Sequence, residues 1–102
     1  MVLNNHEENG AIENLYDSSN ILASKYNIVS KKLAIIFSSG RQYLYHDVTR
    51  SDYDLFEGAE SQGKMLHSVI KKYKAEKMND VVEISLIIEQ ISNLKQSDDD
   101  IK

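Results

Sequence analysis

The stretch that decides the fold runs Leu33-Ala34-Ile35-Ile36-Phe37, Ser38-Ser39-Gly40, Arg41-Gln42-Tyr43-Leu44-Tyr45. Five consecutive apolar residues bounded by turn chemistry suit a central strand buried on both faces. Ser38-Ser39-Gly40 is then a tight turn, with Gly40 supplying the positive φ that a short hairpin needs. The next segment, Arg41 to Val48, alternates, placing Tyr43 and Tyr45 on one face and Leu44 on the other. Working backward, Asn20 to Tyr26 reads as an earlier strand, joined through the polar turn Asn27 to Lys32. These segments predict a three-stranded antiparallel meander, with Phe37 buried between its second strand and the elements that cover it.

Beyond Val48 the period becomes helical. Ser51 and Asp54 form a capping pair ahead of Tyr53, Leu55, Phe56 and Ala59, which predicts a helix over 52–60. Ser61-Gln62-Gly63 breaks it. A second helix over 64–78 carries Leu66, Val69, Ile70 and Tyr73 on one arc, the face that would cover the sheet. A third, starting at Asn79 or Asp80 and ending near Leu94, has Val81, Ile84, Ile87, Ile88, Ile91 and Leu94 on a wide apolar stripe. The expected fold class is therefore α+β: a three-stranded antiparallel meander packed by two helices, plus a C-terminal amphipathic helix. The expected organisation is an acidic flexible arm over 1–17, a domain over 18–77, the amphipathic helix over 78–95, and an acidic disordered tail over 96–102.

Composition narrows the class of protein. The chain has 102 residues, 41% hydrophobic and 27% charged, which is globular usage and enough for one core. It has no cysteine, which removes disulfides, a thiolate nucleophile and cysteine-based zinc sites. Residues 1–11 lack the basic and apolar regions of a secretory signal, and no apolar run reaches the roughly 18 residues of a membrane span. A cytoplasmic protein without a membrane role is the default. The net charge of −4 is unevenly spread: residues 1–17 sum to −4, residues 18–77 to +4 and residues 78–102 to −4. A basic middle between acidic ends suits an anionic partner.

The residues that punctuate this pattern carry a resemblance. Ser19-Asn20-Ile21, Tyr26, Leu33, Ile35, Phe37-Ser38-Ser39-Gly40, Tyr43-Leu44-Tyr45, Val48, Ala59-Glu60-Ser61-Gln62-Gly63 and Ile70-Lys71-Lys72-Tyr73 resemble the KTSC domain. That family is named for its occurrence at the C-terminus of some lysyl-tRNA synthetases and also exists as a stand-alone small protein. The chain departs from the family pattern at Lys25, Asn27, Thr49 and His67, the last standing where an Asn is usual. The resemblance implies the fold of the middle segment and, through the synthetase fusion, a suggested role in RNA binding. It brings no established activity with it.

Candidate sites follow from the same residues. The chain has no Gly-rich phosphate loop, His-Glu-x-x-His motif or nucleophile elbow, so no catalytic residue, metal ligand or cofactor is expected. His6, His46 and His67 are scattered. Tyr43 and Tyr45 would stack unpaired bases if exposed, or pack in the core if they face the helices. On a straight helix, at about 100° per residue, Lys64, His67, Lys71 and Lys74 fall within an arc of roughly 80°. Arg41 and Arg50 could extend that basic ridge toward RNA or another anionic ligand. The third helix, through 81–94, either folds back onto the core or joins copies into a homo-oligomer. Two functions stay open: a non-enzymatic RNA-binding module, or an interaction or sequestering protein of the kind phages and mobile elements encode, binding a host protein or a small anionic ligand.

Overall fold

The structure, a computed structural model, describes residues 1–78. It contains strands β1 (Val2–Glu8), β2 (Ala11–Tyr16), β3 (Ile21–Asn27), β4 (Leu33–Phe37) and β5 (Gln42–Tyr45), then helices α1 (Arg50–Glu57) and α2 (Gln62–Met65). A π-helical segment (Leu66–Ile70) and a last strand, β6 (Ala75–Lys77), complete it. All six strands form one sheet in sequence order, every neighbouring pair antiparallel. This corrects the expected three-stranded meander. Its three strands are present with shifted ends, the third cut from Arg41–Val48 to Gln42–Tyr45, and three more lie where an arm and a helix were expected.

The first correction is at the N-terminus. Residues expected to form a flexible arm build the β1–β2 hairpin, because Asn9 and Gly10 take φ values of 52° and 78° and close a two-residue turn whose twist matches the strands. Register shifts in β1 between Val2 and Asn4, and in β3 between Ile21 and Ala23, leave Leu3 and Leu22 as the extra residues. Both are largely exposed, so the bulges expel one leucine each while keeping the flanking residues in register with the core.

The second correction is at the other edge. The helix expected over 64–78 ends early, in the π-helical segment, where Lys71 N–H donates to the Leu66 carbonyl at 2.8 Å. The chain then extends and pairs Ala75 with Tyr45, Glu76 with Leu44 and Lys77 with Tyr43. Pairing satisfies the backbone groups along β5 that a helix would have left open. Two smaller shifts accompany it. Thr49, rather than Ser51, caps α1, accepting from Asp52 N–H at 3.2 Å. β5 stops at Tyr45, short of Val48, where Asp47 takes a φ of 58°. The expected third helix and tail, with Val81 to Leu94, lie outside the described residues.

One face of the sheet holds the core. Ile12, Tyr16, Ile21, Tyr26, Leu33, Ile35 and Tyr45 point at Val48, Tyr53, Phe56, Leu66 and Ile70 from the helical half. Tyr26 stacks on Tyr53 with centroids 4.2 Å apart, and its hydroxyl donates to the Val48 carbonyl at 2.7 Å, so a polar tip is satisfied inside the core. Phe37, expected at full burial, is only half-buried against this cluster, its ring edge-on to Tyr43 at 5.7 Å. A polar knot joins the hairpin to α1. The buried Asn14 side chain donates to Tyr53 Oη at 3.0 Å and Glu57 Oε2 at 2.8 Å, and accepts from Asn5 at 2.6 Å.

Candidate functional site

Where β3 begins and β4 ends, the sheet opens into a cleft of about 530 Å³, lined by Ser19, Asn20, Ile21, Phe37, Ser38, Ser39, Gly63, Leu66 and His67. Three segments far apart in sequence converge on it. The Ser18 hydroxyl accepts from the Asn20 and Ile21 amides, each at 3.3 Å, which turns the chain sharply into β3. Ser38 N–H donates to the Asn20 carbonyl at 2.8 Å and stitches the second turn to the first. Gly40, at φ 94°, then allows that turn to close with its N–H on the Phe37 carbonyl at 2.9 Å. The third wall comes from α2, whose start is capped by Ser61 accepting from Lys64 N–H at 3.4 Å.

The result is an apolar floor with polar lips. Ile21 and Leu66 are buried and Phe37 half-buried, while Ser19, Asn20, Ser38, Ser39 and His67 are exposed. No hydrogen bond to the side chains of Asn20 or Ser38 accompanies these turns among the described residues, so the two groups face the cleft with donors and acceptors to offer. A Cβ on Gly63 would lie 3.6 Å from Asn20 Nδ2, an ordinary contact distance, so the third wall comes close to the first. The floor ends at the π-helical segment. Such single turns are frequent at functional sites, because the extra residue displaces side chains from the straight-helix pattern.

Of the residues singled out in the sequence, the structure brings some together and separates others. His67 lies in the cleft wall, Lys64 stands exposed one turn before it, and Lys71 follows the π-helical segment. Arg41 is exposed in the turn that carries Ser38 and Ser39. Lys74 does not continue a helical ridge. It lies in the extended link to β6, where its carbonyl accepts from His46 N–H at 2.8 Å. Tyr45 is buried and Tyr43 half-buried on the helix-covered face, which makes them packing residues rather than an open stacking platform. Burial, and then the neighbouring Tyr43, raises the Tyr45 phenol above its ordinary range. Arg50 is taken up by Asp54 at 2.9 Å, and Lys72 by Asp52 at 3.0 Å. The Tyr73 hydroxyl also donates to Asp52, and with Lys72 holds that carboxyl below the usual carboxylate range.

Sequence reasoning missed Ser19, Asn20, Ser38, Ser39 and Gly63 as site residues: Asn20 was read as the start of a strand, Ser38, Ser39 and Gly63 as turn or breaker chemistry, and Ser19 only as a point of resemblance. The available signal was that these turns were the quoted points of resemblance, and strand topology alone brings them to one end of the sheet. A second cavity of about 500 Å³ lies between the hairpin and α1, lined by Met1, Asn5, Glu7, Arg50 and Glu57 among others. Arg50 and Glu57 are already engaged there, by Asp54 and by the Asn14 knot. Among the described residues no group of three His, Asp or Glu side chains could hold a metal, and no helix is long and apolar enough to cross a membrane.

A sheet with one helix-covered face and a polar-lipped cleft at its end defines a small α+β domain built from strands more than helices. The KTSC domain family model matches residues 17–73, more than half of the chain, and the chain belongs to that family. A crystal structure of a KTSC domain protein from Yersinia pestis is similar, with 28% identity and a TM-score of 0.64, over 68% of this chain and 99% of that one. Among curated proteins none matches. The family match begins after β2 and ends before β6, whereas every cleft residue falls inside it.

Proposed function

We propose that this chain is a non-catalytic binding module that takes single-stranded RNA, one unpaired nucleotide entering the cleft and the strand's phosphates running toward the cations beside it. The observation that carries this reading is the convergence of Ser19-Asn20, Ser38-Ser39 and Gly63-His67 over the floor of Ile21, Phe37 and Leu66, all within the family match. The volume suits a small ligand or a single nucleotide unit, and a mostly apolar pocket with a few placed polar groups is the usual form of such sites. Hydroxyl and amide groups can hydrogen-bond base edges or a 2′-hydroxyl, and the apolar floor can take a base face. Lys64 and Lys71 are exposed on the helical stretch that carries Gly63, Leu66 and His67, and Arg41 on the turn that carries Ser38 and Ser39; they do not line the cleft, and are the cations offered to phosphate.

The test is a fluorescence-anisotropy titration of a labelled single-stranded RNA at two salt concentrations. Asn20→Ala with Ser38→Ala should weaken binding about tenfold, each lost hydrogen bond contributing about 0.5–1.5 kcal/mol, with unfolding unchanged. Lys64→Glu with Lys71→Glu should lower the salt slope by about 0.7 per lost phosphate contact. A parent chain that does not bind RNA even at low salt contradicts the reading, leaving a sequestering role toward a protein or a small anion as the alternative.

A further inference from the structure

The chain has three histidines, and the structure gives them different company. His6 lies 3.1 Å from Glu8 and His46 3.0 Å from Glu76, so each of these rings sits on a carboxylate. His67 has neither a hydrogen bond nor an ion pair to its ring among the described residues, and it stands exposed in the cleft wall. Of the residues that line the cleft, it alone changes charge near neutral pH. The helical stretch explains why no lysine joins it there. Gly63, Leu66 and His67 fall at i, i+3 and i+4, on one face, where a regular helix would bring Lys71 next. The bond from Lys71 N–H to the Leu66 carbonyl, at 2.8 Å, puts an extra residue into that turn, and Lys71 is absent from the lining.

We propose that His67, as the imidazolium, binds the phosphate of the nucleotide that enters the cleft, so that RNA binding takes up a proton. This rests on the reading of the cleft as an RNA site. No carboxylate lines the cleft to hold the ring in advance: Asp17 and Glu60 lie on the segments leading into two of its walls, and neither reaches the lining. On α1, which packs against this stretch, Asp52 is held by Lys72, Asp54 by Arg50, and Glu57 by Asn14 and Tyr53. The other charges around His67 are cations, Lys64 and Lys71 on its own stretch and Arg41 on the β4–β5 turn. An imidazolium without a carboxylate partner keeps both ring N–H groups for the ligand, and its charge-assisted bond to phosphate is stronger than any a neutral ring makes. The remaining lining is uncharged, so a nucleotide is admitted at either pH and held more tightly in the acid range.

Anisotropy titration of the full chain with a labelled single-stranded RNA at pH 6 and pH 8, at one ionic strength, tests this. The parent should bind about tenfold more tightly at pH 6. His67→Gln should bind equally at the two pH values. His67→Lys, which carries its charge at both, should also bind equally at both and more tightly than His67→Gln. His6→Gln and His46→Gln should each keep the parent's tenfold change. A parent with the same affinity at both pH values, or a tenfold change that survives in His67→Gln, overturns the inference and leaves the cleft as an RNA site. RNA that binds at neither pH overturns both.

Discussion

At the scale of the residue, the tyrosines show how much of this fold depends on neutral phenols. Tyr16 has its hydroxyl in hydrogen-bond contact with Ser24 at 2.6 Å and with Asn14 at 3.2 Å. Burial above all pushes its pKa up to about 12, against the ordinary value of 10.0. Tyr26, Tyr45 and Tyr53 are raised in the same direction, also by burial first. A folded-state pKa above the unfolded one contributes stability that is complete below the unfolded value and is lost as pH rises through the folded value. Urea unfolding at pH 8, 10 and 11.5 should therefore show stability nearly level to pH 10 and falling beyond it, by about 1.5–2 kcal/mol at pH 11.5 for Tyr16 alone. Tyr16→Phe should flatten part of that fall, and a parent whose stability stays level to pH 11.5 would show that these phenols are more solvated than the structure places them.

Among the elements, the hairpin and β6 separate what the sequence declared from what it concealed. Residues 33–45 were legible because apolar run, turn and alternation all agree there, and β4 and β5 lie inside that stretch. Asn9-Gly10 was an equally local hairpin signal, masked by polar neighbours: β2 buries Glu13 and Asn14, and polar side chains on a strand read as surface. β6 was illegible for a different reason. Lys71 to Lys77 keep a helix-compatible pattern, and what makes them extended is a non-local partner, the backbone of β5. Of the cleft's lining only His67 was singled out, by its place on the basic helical spacing, while the hydroxyl residues had no charge or period to mark them. The hairpin's attachment can be measured. Asn14→Ala takes the amide donor away from Glu57 and the Tyr53 hydroxyl, which keep their bond to each other at 2.8 Å, and should destabilise the chain by about 1–2 kcal/mol in urea unfolding. A change within experimental error would mean that water replaces the amide and that the knot does not hold the hairpin.

For the whole molecule, the arrangement divides the sheet into regions with different tasks. One face is closed by Tyr53, Phe56, Leu66 and Ile70, and this closed core holds the β3 and β4 ends still enough for their turns to shape a cleft. The strands added outside the family match, β1, β2 and β6, widen the sheet at its two edges without touching that cleft, so the site belongs to the part shared with the family. RNA entry at this cleft remains a proposal that a single titration can decide. The most direct measurement is an amide chemical-shift titration of the labelled chain with a short single-stranded RNA. Shifts concentrated at Asn20, Ser38, Ser39, Gly63 and His67, saturating together, are the predicted result; shifts confined to the hairpin, or no shifts at millimolar RNA and low salt, would contradict it.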